Sequence, residues 1–87
     1  MNRDAGSSAL NDKALVKLGY SLKPTELFSI SYEKFIGCTG VVIRFDERDK
    51  VVLKISYDER GQGRSPMTPL EIRACVDILD SLGWTND

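Results

Sequence analysis

The segment Pro66–Trp84 constrains the fold of this chain most, because it carries both a start and a stop signal for one helix. Thr68 can cap the first turn, Pro69 suits the first helical position, and Glu71 can complete a capping box. Gly83 suits the left-handed residue that ends a helix. The pattern therefore predicts a helix from Thr68 to Leu82. One apolar face is expected to point to the core: Ile72, Cys75, Val76, Ile78, Leu79 and Leu82.

Two β-prone runs, Val41–Phe45 and Val51–Tyr57, flank a charged tip and predict an antiparallel hairpin. We expect the apolar odd-numbered residues of both runs to share one face. That condition gives a register in which Asp46 lies opposite Lys50, an attractive pair. The opposite face would then carry a mixed set that we interpret as a partner surface: Val42, Arg44, Val52 and Lys54.

The stretch 26–36 fits two patterns. Phe28, Ile30 and Tyr32 alternate with serines, which is the period of a half-buried strand. The spacing of Phe28, Tyr32, Phe35 and Ile36 also fits a helix. The β-prone composition favours the strand, and the helix remains the alternative.

A short first helix is expected after Ser8, which can cap it, with Gly19 at its end. The residues 58–65 are polar and contain two glycines, so they are expected to form a loop. The fold class is therefore α+β. We expect a small two-layer α-β-β-β-α domain, in which two helices pack on one face of a three-stranded antiparallel meander. A chain of 87 residues has room for one domain over residues 1–87, with 1–7 as a flexible tail.

Composition excludes several classes of function. The chain has no histidine, so Ser–His and Cys–His nucleophile pairs and histidine-based zinc sites are absent. The net charge of −1 is unlike that of a strongly basic nucleic-acid binder. No apolar run is long enough to span a membrane. We predict no catalytic residue, metal site or cofactor, and we expect a cytoplasmic protein whose Cys38 and Cys75 are reduced thiols.

A second candidate site lies before the last helix. Its glycine amides and arginine side chains could hold an anion, and it comprises Arg60, Gly61, Gly63 and Arg64. The segment is not a Walker A loop, because no Gly-Lys-Ser/Thr follows. It is not a dinucleotide fingerprint either, since only Gly-x-Gly is present.

The predicted element order, the Gly61-Gln62-Gly63-Arg64-Ser65 loop and Ala74 in the last helix resemble the plan of double-stranded-RNA-binding domains. The resemblance implies the α-β-β-β-α fold. That family meets phosphates with lysines at the start of the last helix. Here the matching stretch, Met67–Glu71, contains no lysine, so the RNA-binding function does not follow from the resemblance.

These observations favour a small non-catalytic protein-interaction module, whose partner is another protein or a second copy in a homodimer. The alternative is a nucleic-acid or anion-binding module that uses the glycine and arginine segment. A third hypothesis is an enzyme without histidine, which would need carboxylate, lysine or tyrosine chemistry.

Overall fold

The computed structural model describes residues 10–85 of the chain. In order, the elements are α1 (Lys13–Lys17), β1 (Ser21–Leu22), β2 (Ser29–Ile36), β3 (Thr39–Asp46), β4 (Val51–Asp58), β5 (Gly61–Arg64) and α2 (Pro69–Leu82). The strands form one antiparallel sheet in chain order. The α+β class is confirmed. The described residues divide into two units, one with the sheet (19–67) and one with both helices (10–18 and 68–85).

The sheet has five strands instead of the three predicted. The strand interpretation of 26–36 is confirmed for Ser29–Ile36 by β2. The two additional strands lie at the sheet edges, and β5 falls in the segment 58–65 that was predicted to be a loop. β1 and β5 are exposed along their whole length, so neither shows the apolar alternation by which a strand is recognised in a sequence. Both strands pair through backbone hydrogen bonds, and this pairing does not require a particular pattern of side chains in the sequence.

The β3–β4 hairpin has a different register from the predicted one. Asp46 lies opposite Val51, and four residues form the tip. The Asp46 carboxylate accepts hydrogen bonds from the amides of Arg48 (2.9 Å) and Asp49 (3.2 Å), and Lys50 closes the turn at a φ of 55°. The predicted pairing of Asp46 with Lys50 is wrong. That pairing would leave a three-residue tip, whereas the observed turn uses the four residues 47–50. A shift of one residue moves one strand's side chains to the other face.

The sheet consequently has two faces of different character. The Phe45 face carries the most buried side chains of the sheet: Tyr32, Val41, Ile43 and Phe45. Tyr32 and Phe45 meet edge to face, with ring centroids 6.3 Å apart. The opposite face, named here the Arg44 face, alternates polar and apolar residues: Ser31, Glu33, Val42, Arg44, Leu53, Ile55, Tyr57, Gln62 and Arg64.

The predicted capping of α2 is confirmed at both ends. The Glu71 amide donates to Thr68 Oγ1 (3.2 Å), and the Thr68 amide donates to Glu71 Oε1 (2.9 Å). At the other end Gly83 is left-handed, with φ 77°. The Trp84 amide donates to the Leu79 carbonyl (3.1 Å), as in a Schellman motif.

The buried face of α2 is shifted from the predicted one. Glu71, Ala74, Cys75 and Ile78 are buried, whereas the side chains of Ile72 and Val76 are 51% and 43% exposed. The predicted face omits Ala74, because a small side chain contributes little to the apolar pattern. It also overlooks a glutamate that can be buried because the Thr68 amide satisfies its carboxylate.

Helix α1 begins at Lys13 after Asp12, later than the predicted cap at Ser8 allows. Ser8 itself and the predicted tail 1–7 lie outside the described residues. Leu15 is fully buried, and the Asn11 amide donates to Ser81 Oγ of α2 at 2.8 Å. Between residues 10 and 85 neither helix is long and apolar enough to cross a membrane.

Candidate ligand-binding face of the sheet

The structure separates the four residues of the predicted partner surface. Val42 and Arg44 lie on the Arg44 face, and Val52 and Lys54 lie on the Phe45 face. Val42 is also buried, with 5% of its surface exposed. The four residues therefore do not form one surface, and a role for any of them in binding a partner stays a prediction.

The predicted anion segment is the β4–β5 turn and strand β5. Arg60, in the turn, lies 3.8 Å from the Asp58 carboxylate and is highly exposed. Gly61 and Gly63 pair with β4, and Arg64 shares the Arg44 face with Ile55 opposite it. The segment is thus a paired strand, and its role in anion binding stays a prediction.

A row of side chains that crosses the Arg44 face was not predicted. The Lys23 amide donates to the Ser31 carbonyl (2.9 Å), Ser31 lies opposite Arg44, and Arg44 lies opposite Leu53. Opposed residues in antiparallel strands point to the same face, about 5 Å apart. The short Ser31 hydroxyl therefore lies between two long cationic side chains. We call Lys23, Ser31 and Arg44 the Ser31 row.

Two polar atoms of this row are buried without a partner. Ser31 is 6% exposed, and its hydroxyl has no hydrogen bond. Arg44 Nε is likewise buried with no acceptor. A buried polar group without a partner costs about 1–3 kcal/mol, so folded proteins rarely leave one. Both atoms can donate a hydrogen bond.

An acidic and a phenolic group meet beside the Ser31 row, although Glu33 lies opposite Val42 and Tyr57 lies opposite Gly40. The Tyr57 hydroxyl donates to Glu33 Oε2 in a short hydrogen bond, and Lys23 Nζ lies 4.0 Å from the same oxygen. The hydrogen bond to Glu33, desolvation and the Glu33 charge raise the pKa of Tyr57, in that order of importance. Gly40 makes this arrangement possible, because a Cβ there would overlap the Tyr57 ring. Phe35 packs edge to face on that ring, with centroids 6.3 Å apart.

A cavity of about 230 Å³ opens on the Arg44 face. Its walls combine two cations, a phenol and an amide with aliphatic surface: Lys23, Arg44, Tyr57, Gln62, Val42 and Ile55. This volume suits one small polar group or one inserted side chain, and it falls below the usual size of a cofactor pocket.

The two cations of the cavity lining, Lys23 and Arg44, could bind an oxyanion. A guanidinium can bind a carboxylate with two parallel hydrogen bonds. Glu33 already offsets one of the two positive charges, so a singly charged carboxylate fits better than a doubly charged phosphate. Within residues 10–85 no three acidic or thiol side chains converge as they would at a metal site.

Comparison of the chain with protein-family models, with curated proteins and with solved structures returns no match. The resemblance to double-stranded-RNA-binding domains thus rests on the predicted plan alone, and the five strands depart from that plan.

Proposed function

We propose that this protein is a non-catalytic interaction module, which binds an acidic segment of a partner protein on its Arg44 face. The observation that supports the proposal is the pair of buried, unpartnered donors, Ser31 Oγ and Arg44 Nε. A carboxylate from the partner supplies an acceptor for both donors, with Lys23 beside it, after the long side chains on either side of Ser31 move apart.

The surroundings suit a peptide more than a free anion. Leu53 and Ile55 are half-buried on the same face, and Phe35 is 63% exposed at its end. An aliphatic or aromatic partner residue next to the carboxylate can cover these side chains. Apolar contact then supplies affinity, and the charged group supplies orientation. A cytoplasmic setting, with both thiols reduced, agrees with this function.

Substitution of Ser31 by alanine tests the proposal. In most buried serines the hydroxyl is bonded and its loss destabilises the fold. Here the hydroxyl has no partner, so Ser31→Ala is expected to leave the melting temperature unchanged or to raise it. The same change should weaken binding of a synthetic peptide of alternating glutamate and leucine about 3- to 10-fold, as measured by NMR titration.

Ser29→Ala is the matched control. Ser29 lies on the same strand and face, and its hydroxyl contacts Glu26 Oε1 at 3.5 Å. We expect no change in peptide binding for this variant. The proposal is wrong if Ser31→Ala destabilises the fold, or if it binds the peptide as tightly as the parent protein.

Nucleic-acid binding is the second candidate, since Arg64 adds a third cation to the Arg44 face. Glu33 and the overall charge of −1 oppose it. A titration with a short RNA duplex distinguishes the two. Saturable RNA binding that falls steeply with added salt, together with no response to the acidic peptide, would favour nucleic acid.

A further inference from the structure

Strand β5 forms an open edge of the sheet. Its four residues are exposed, and it pairs with β4 on one side only. Natural edge strands are commonly protected by shortness, charged side chains, proline, a bulge or a covering segment. β5 is short and carries the charge of Arg64, but it contains no proline. Its outward backbone groups are therefore still able to pair with another strand.

The hydrogen-bonding groups that point outward can be identified. The Ser65 amide donates to the Lys54 carbonyl (2.9 Å), so this pair is hydrogen-bonded. Hydrogen-bonded pairs alternate along an antiparallel ladder, which directs the backbone of Gly61 and Gly63 toward β4. The amides and carbonyls of Gln62 and Arg64 then point away from the sheet. In the described part of the chain no backbone group bonds to them.

We propose that a second copy of the chain pairs with this edge in antiparallel orientation, with a two-fold axis at Gly63. Gln62 of each copy then lies opposite Arg64 of the other. Each of these two pairs exchanges two backbone hydrogen bonds, so all outward groups of both residues are satisfied.

Several features of β5 suit this register. Gly63 faces its own copy at the closest point of the two strands, where it has no side chain to clash and an added Cβ would meet nothing. The Gln62 side chain can accept from the Arg64 guanidinium across the interface. Pro66 has no amide and ends the pairing. The register with Gln62 opposite itself would instead place Arg64 against the turn residue Arg60.

The dimer is expected to be weak and fully reversible. A short edge strand buries little surface, and interfaces below about 1,200 Å² belong to transient complexes. We therefore expect a dissociation constant on the order of 100 µM. Pairing would join two sheets into one continuous sheet and place the two Arg44 faces side by side.

A backbone-specific substitution tests the pairing. Gln62→Pro removes one outward amide and leaves the ladder to β4 intact, because that ladder does not use the Gln62 amide. Gln62→Ala keeps the amide and removes the side chain. In sedimentation velocity from about 10 µM to 1 mM, we expect the parent and Gln62→Ala to form dimers and Gln62→Pro to stay monomeric, with unchanged circular dichroism.

Disulfide trapping tests the register. In a Cys38→Ser background, Gly63→Cys places two thiols at the two-fold axis, in a pair close enough for a disulfide. Ser65→Cys places them about 13 Å apart in the same dimer. With oxidised glutathione as oxidant, Gly63→Cys should give a covalent dimer much faster than Ser65→Cys.

Two results would overturn the proposal. One is a parent protein that remains monomeric at 1 mM, and the other is a folded Gln62→Pro variant that dimerises like the parent. If Gln62→Pro does not fold, Arg64→Pro takes its place in the same experiment. Equal rates of crosslinking for Gly63→Cys and Ser65→Cys would also overturn the proposed register. Peptide binding on the Arg44 face is measured separately, so either proposal can fail alone.

Discussion

At the scale of single residues, the two cysteines differ sharply in environment. Cys38 is exposed in the β2–β3 turn, whereas Cys75 is 4% exposed on α2. Burial, and then the charge of Glu71, raise the pKa of Cys75 to about 11. Because the thiolate is the reactive form, only Cys38 should react near neutral pH.

We therefore predict that Ellman's reagent at pH 8 modifies one thiol per folded chain and two in denaturant. Cys38→Ser should reduce the native count to nearly zero, and Cys75→Ala should leave it at one. Rapid modification of two thiols in the native protein would contradict the burial of Cys75.

Gly40 gives a second prediction at this scale. The ring of Tyr57 covers its Cα, so the Cβ of Gly40→Ala would displace the ring from Glu33. We expect a loss of about 1–3 kcal/mol in the free energy of unfolding, measured with urea. Gly63→Ala is the control, since its Cβ enters open space and should change stability by less than about 1 kcal/mol.

At the scale of elements, the cap of α2 can be tested directly. Thr68→Ala removes the acceptor of the Glu71 amide and should cost about 1 kcal/mol in urea unfolding. Thr68→Ser keeps the oxygen and should retain most of the stability. Ile78→Ala opens a cavity at a fully buried position and should cost more, about 2–5 kcal/mol. A larger loss for Thr68→Ala than for Ile78→Ala would contradict this picture of α2.

The elements also show which parts of the fold can be predicted from the sequence. The ends of α2 were predicted because each cap depends on residues within a few positions of one another. The register of the β3–β4 hairpin was not predicted correctly. The Asp46 side chain can either pair with a residue on the opposite strand or accept hydrogen bonds from amides of its own turn, and the sequence does not show which of the two occurs. β1 and β5 were missed because backbone pairing at an edge needs no particular side chain.

The same reasoning explains why the candidate binding site on the Arg44 face was only partly predicted. Arg44 was predicted from the hairpin. Ser31 and Lys23 join it only when β2 is placed beside β3 and β1 beside β2, and Tyr57 joins it only in the observed register of β4. The alternation of Ser29 and Ser31 with apolar residues shows that they share a face. It does not show that the Ser31 hydroxyl is buried without a partner. That fact depends on the long side chains of neighbouring strands.

At the scale of the whole molecule, stability should fall on the alkaline side. The pKa of Cys75 is about 11 in the folded chain against 9.0 for the free group, so above pH 9 the unfolded state loses its proton first. Stability from this group is therefore complete below pH 9 and is lost as pH rises toward 11. The raised pKa of Tyr57 acts in the same direction above pH 10.

Urea unfolding between pH 8 and 11 checks this expectation. We predict a constant free energy of unfolding up to about pH 9 and a decline beyond it. In Cys75→Ala the decline should be smaller, because only Tyr57 remains of the two groups. A parent protein with constant stability up to pH 11 would contradict the assignment.

The Schellman end of α2 has a practical consequence for optical spectroscopy. Trp84, the single tryptophan of the chain, belongs to the helical unit, while the three tyrosines lie within 19–67. Excitation at the red edge of the absorption band thus reports on the helices alone, and tyrosine absorbance reports on the sheet. The molecule therefore carries one kind of native chromophore for each of its two units. Whether their denaturation curves superimpose will decide, without any label, whether the chain melts in one step or two.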